Sequence, residues 1–238
     1  MTAENAVAAH WKRLLGIGGW AALIVGALYT IEIVGVAATG IPPSTAMGFF
    51  TLLQSNRLLG LFDLFVLDIA ATGFQIPVFL ALYVVLRQRN ESVMGLATVL
   101  VYLGIAEYFA TNTAFSILSL SDQYAAATTD TQRSLLLLLG QQLLPTTNPS
   151  TSAFIAYTFV AVAGATISVV MLRSGIFSKP TAILGIVGNV LELGPPAQFV
   201  PWQSYYTADA VVIAIGGVLL VAWYFLIARK LLQLGRTS

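Results

Sequence analysis

The chain is 238 residues long, of which 58% are hydrophobic and only 9% charged. Soluble domains carry about 25% charged residues, so this composition, with a mean hydropathy of +0.85, excludes a soluble globular fold and predicts an all-α, polytopic membrane protein. A net charge of +1 leaves no field to attract nucleic acid, and the lipid bilayer is the partner implied.

Six apolar segments reach the spanning length of about 20 residues, near 14–38, 58–86, 93–118, 151–172, 180–202 and 208–228. Lipid forces each backbone to satisfy its own polar groups, so they are predicted as helices of one six-helix bundle over residues 1–238. The first is read as a retained helix, because its apolar run exceeds a signal peptide's and Glu4 interrupts the basic start. The connection 39–57 carries Pro42 and Pro43, and 87–92 is a tight turn. The connection 119–150 holds Asp122, Asp130, Arg133 and the run Leu135 to Leu139, which ends at Gly140 and Pro145. That run is too short to span. It predicts an interfacial helix capped by Thr129 or Asp130, an ordinary connector in preference to a lid over a cavity. Residues 173–180 form a second tight turn. The fifth segment then meets Gly194, Pro195, Pro196 and Pro201, which end or kink a helix.

Basic residues set the orientation. Lys12, Arg13, Arg87, Arg89, Arg173, Lys179, Arg229, Lys230 and Arg236 fall on the side of the termini; only Arg57 and Arg133 fall on the other. Positive charge collects in the cytoplasm, so both termini are predicted inside. Trp11, Trp20, Trp223 and Tyr224 are assigned to the inner interface, and Trp202, Tyr205 and Tyr206 to the outer one.

Absences narrow the chemistry. There is no cysteine and one histidine, His10, which excludes thiol catalysis, iron–sulfur clusters and sites built on several histidines. No lysine lies inside the apolar runs, and no phosphate-binding, dinucleotide-binding, nucleophile-elbow or zinc-protease motif occurs. No cofactor and no metal are expected.

Acids inside lipid are the informative residues, because each costs about 2.5–3.5 kcal/mol at mid-membrane on insertion scales. At 1.5 Å per residue, Glu107 lies roughly 22 Å and Glu192 roughly 18 Å from the cytoplasmic ends of their helices. Asp68 and Glu32 lie roughly 28 Å in, near the outer interface, with Asp63 and Asp209 at or past that edge. Asp68, Thr72 and Gln75 share one helix face. Glu107 and Thr111 share another, with Tyr108, Asn112 and Ser116 on a second face of the same helix. The plain alternative is that these acids hydrogen-bond across helices or pair with Arg57, which holds a bundle together modestly. For Glu107 and Glu192 the two readings weigh about equally.

The stretch Tyr102-Leu103-Gly104-Ile105-Ala106-Glu107, then Ile117 to Ser121, and the stretch Leu172 to Pro180 followed by Ile183-Leu184-Gly185, resemble a bacterial six-helix membrane family, domain of unknown function 4386. Tyr102 and Ala106 depart from that family's third-helix pattern, while Glu107 fits its acid. The resemblance implies a multi-pass protein of a bacterial or archaeal cytoplasmic membrane and supplies no activity.

The sequence therefore predicts an outward-facing acidic cavity lined by Glu107, Glu192, Asp68, Thr72, Gln75 and Thr111, taking a small cationic or amphipathic solute. A non-catalytic scaffold, sensor or accessory subunit is the alternative, and an enzyme ranks last. No strict dimerisation motif occurs, so the oligomeric state is not legible.

Overall fold

A computed structural model describes residues 3–40, 42–144, 151–193 and 206–237, which hold helices and no strand. The helices are α1 (Ala3–Thr39), α2 (Ala46–Ser55), α3 (Arg57–Asp63), α4 (Val66–Leu86), α5 (Glu91–Thr111), α6 (Ala114–Ala126), α7 (Asp130–Leu143), α8 (Thr151–Ser174), α9 (Lys179–Leu191) and α10 (Tyr206–Thr237).

Six of them close a ring in chain order. α1 packs on α4, α4 on α5, α5 on α8, α8 on α9, α9 on α10, and α10 returns to α1. Neighbours run antiparallel. Gly18 of α1 abuts Pro77 and Ala81 of α4, Gly104 of α5 abuts Ala156 and Val160 of α8, and Gly235 of α10 lies against Gly16. Small residues permit this approach, since lipid offers no hydrophobic drive and packing must hold the helices. Among the closest cases is Gly164 of α8, whose missing side chain gives its space to the Asn189 amide. Asn189 spends that room donating to the Gly185 carbonyl at 2.7 Å.

Five stretches are long and apolar enough to cross a membrane: Trp11–Thr39, Val66–Leu86, Glu91–Ala126, Ile155–Ser174 and Ala214–Arg236. α9 has 13 residues, or roughly 20 Å of helix, short of a hydrocarbon core of about 30 Å. Pro195, Pro196 and Pro201, expected to break this segment, lie outside the described residues.

Two expected helices are interrupted. The segment 58–86 breaks at Leu64 and Phe65, where Phe65 takes a left-handed backbone with φ 54°, a strained conformation for a bulky residue. The segment 93–118 stops at Thr111. There the Asn112 Oδ1 accepts the Ala114 amide at 3.1 Å and competes with the helical ladder. Tertiary packing explains both, because the pieces beyond the breaks join a separate cap.

That cap consists of α2, α3, α6 and α7 around Phe49, Phe50, Leu53, Ile117 and Leu144. The Ala46 amide donates to Gln141 Oε1 at 2.9 Å, tying α2 to α7. Arg57 forks onto Asp122 with bonds of 3.1 and 3.0 Å. Residues 39–57, expected as a plain connection, thus contain a helix. α7 starts where expected, on a Thr129 capping box completed by Gln132.

The half of the ring that holds the termini is a plug. Phe79, Leu82, Met94, Ile167, Met171, Trp223 and Ile227 are each no more than 1% exposed. Trp223 and Tyr224 are therefore core residues and not interfacial anchors. Depth alone placed them at the interface; their helix face turns them inward. Trp20 does face outward, and Trp11 stacks under Arg87, whose guanidinium lies 5.7 Å from the ring.

Candidate functional site

Above the plug, on the cap side, the ring interior turns polar. Asp68 stands in the first turn of α4, directly after the Phe65 break. Its Oδ2 accepts the Tyr108 hydroxyl of α5 at 2.8 Å, and Asn112 Nδ2 donates to that hydroxyl at 3.2 Å. From α1, the Tyr29 hydroxyl lies within electrostatic reach of Asp68 and accepts Gln75 Nε2 at 2.7 Å.

Two further carboxylates approach. Glu32 lies one turn along α1 from Tyr29, within electrostatic reach of Asp68. Glu192 follows the last turn of α9. Its Oε1 lies by Gly216 of α10, where an added Cβ would sit 3.1 Å away. Asp68 is within electrostatic reach of Glu32, Glu192, Tyr157 and Tyr224. The aromatic rings pair around this group, Tyr29 with Tyr224 at 6.0 Å and Tyr108 with Tyr157 at 6.2 Å between centroids.

No cation neutralises the acids among the described residues. Arg57 pairs with Asp122 and not with an intramembrane acid, and Arg133 donates to the Ala127 carbonyl at 3.1 Å. Among those residues no three histidine or acidic side chains gather as metal ligands either.

The expected site residues fall as follows. Asp68 and Glu192 share the cluster. Thr72 and Gln75 are buried on the inward face of α4, at 6% and 5% exposure. Thr111 spends its hydroxyl on the Glu107 carbonyl at 2.7 Å. Glu107 is half-buried on α5, and no described hydrogen bond or ion pair ties its carboxylate to the cluster. Its neighbour Tyr108 enters instead, since one residue turns a helix by about 100°. α7, the helix weighed as a lid, packs in the cap against α2 and α6. A groove of about 530 Å³ between α6 and α7 is lined by Phe115, Ser116, Leu120, Leu139 and neighbouring residues, away from the acids.

The sequence reading missed Tyr29, Tyr157 and Tyr224 and gave Glu32 no role. One signal was present: Tyr29 and Glu32 are three apart on α1 and so share a face.

Asp63, the last residue of α3, is a separate case. It is 6% exposed, and its Oδ1 has no hydrogen-bond partner among the described residues. Burial pushes its pKa above the ordinary carboxylate value. The folded state then holds that proton more tightly than the unfolded chain does. This contribution favours folding at low pH and is lost as pH rises from the unfolded value through the raised one. Asp63→Asn is expected to flatten that part of the stability–pH curve, measured as thermal unfolding midpoints between pH 4 and 7. An unchanged slope refutes it.

Compared with family models, curated proteins and solved structures, the chain matches none.

Proposed function

We propose that this protein binds, and carries across the membrane, a small cationic solute with an apolar body. One observation carries the reading: Glu32 on α1 and Glu192 at the end of α9 each lie within electrostatic reach of Asp68 on α4, with no basic partner among the described residues, beside paired tyrosine rings. Carboxylates supply charge, and tyrosine faces attract cations by about 0.5–2 kcal/mol each. Intramembrane acids are expensive and by default mark binding or transport sites. In this proposal the solute enters from the cap side, because packed side chains fill the terminal side.

The topology belongs to the same proposal. Six crossings follow if α9 and the residues after it complete the fifth passage, and nine of the 11 basic residues lie at the end with the termini, which the positive-inside rule places in the cytoplasm. The setting is a bacterial cytoplasmic membrane, and membership of the domain of unknown function 4386 family rests on the motifs at 102–121 and 172–185. Alkaline phosphatase fused after Ser238 is expected to be inactive, and a green fluorescent fusion there bright. An active phosphatase refutes the six-crossing topology.

Phenethylammonium tests the function. Added to purified protein in detergent, it is expected to raise the unfolding temperature and to bind saturably by calorimetry, while neutral 2-phenylethanol does neither. Failure of the cation to bind leaves the scaffold reading, in which Tyr108 merely satisfies Asp68 within the bundle.

A further inference from the structure

The cluster's unused hydrogen-bonding capacity identifies the ligand more closely. Glu32 Oε1 and Gln75 Oε1 are buried oxygens without a partner among the described residues. Gln75 is 5% exposed, so water does not serve it from the surface. Buried polar atoms left unpaired cost about 1–3 kcal/mol each and call for an explanation.

Gln75 Nε2 donates to the Tyr29 hydroxyl at 2.7 Å, and Gln75 Oε1 is the atom left without a partner among the described residues. Helical side chains lean toward the helix N-terminus, so Gln75 reaches back along α4 toward Asp68. Both unpartnered atoms are acceptors. The Asp68 carboxylate adds a third acceptor, already held by the Tyr108 hydroxyl.

We infer that the site takes an ammonium or amidinium group bearing N–H donors, in preference to a quaternary ammonium of similar size. This rests on the reading of the cluster as a cation site. A primary ammonium offers three donors and fills the vacant acceptors. A trimethylammonium keeps the charge and the attraction to the rings but leaves Glu32 Oε1 and Gln75 Oε1 unpaired. Sites built to hydrogen-bond a ligand reject analogues that lack the donor, because their own buried groups stay unsatisfied.

The test compares phenethylammonium with its N,N,N-trimethyl analogue on the purified full chain by calorimetry. The primary amine is expected to bind at least about tenfold more tightly. Gln75→Leu and, independently, Gln75→Met are expected to narrow that ratio while the trimethyl analogue binds as before. Equal affinities for the two cations overturn the donor inference and leave the cation site standing. If neither cation binds, the cation reading itself falls. A ratio unchanged in both folded Gln75 variants also overturns the inference.

Discussion

Asp68→Asn is expected to abolish phenethylammonium binding with little loss of fold. Asparagine keeps the shape and an acceptor oxygen for Tyr108, and hydrogen bonds inside membranes average about 0.6 kcal/mol, so unfolding should shift by less than about 1 kcal/mol. The charge matters far more. Two unit charges 4 Å apart at an effective dielectric of 20 attract by roughly 4 kcal/mol, about a thousandfold in affinity. Glu107→Gln is the informative comparison. Glu107 has no described bond to the cluster, so its neutralisation is expected to change affinity by less than about threefold, since it offers no comparable charge at the site. Calorimetry on both variants decides between two placements of the site. Binding lost in Glu107→Gln and kept in Asp68→Asn would move the site to the far side of α5.

The solvent and the helical class were legible because they depend on composition, and the segment positions because lipid demands long apolar runs. The breaks were not. Leu64 and Phe65 are ordinary helix residues; Leu64 packs into the cap core, while Phe65 takes φ 54° at the break with its side chain exposed. Asn112 carried a local signal, since its side chain can capture a backbone amide, but a lone asparagine in an apolar run does not outweigh its neighbours. For the site, depth could be counted from the sequence and azimuth could not. Counting put Glu107 and Glu192 at one level and Tyr224 at the inner interface. A side chain's direction depends on which faces its helix turns to two neighbours, and that is set by contacts such as Gly104 with Val160 and Gly164 with Asn189. Acids also draw the eye more than tyrosines, so an aromatic half of the cluster went unread. The inward stripe of α4 was the part that spacing could give, because Thr72 and Gln75 lie four and seven residues after Asp68 on one face.

Trp223→Ala is expected to be the most destabilising single change in the ring. The indole is fully buried, lies 6.5 Å from the Phe79 ring and 5.1 Å from the Tyr224 ring, and occupies the space that Gly185 leaves open. Truncating a buried tryptophan costs about 3–5 kcal/mol, much of it as cavity. In lipid the transfer part weakens, because the chain leaves no water, but the lost packing contacts remain the main force between helices. Trp223→Phe separates volume from polarity. Trp223 Nε1 has no hydrogen-bond partner among the described residues, and an unpaired buried donor costs about 1–3 kcal/mol. Phenylalanine removes that donor while keeping most of the ring, so the two effects offset and Trp223→Phe is expected within about 1 kcal/mol of the parent chain. Thermal unfolding in detergent measures both variants. A large loss in Trp223→Phe would mean that the indole nitrogen is satisfied after all, by water or by the Gly185 backbone. A small loss in Trp223→Ala would mean that the plug collapses to refill the space, and that the terminal half of the ring is softer than its packing implies.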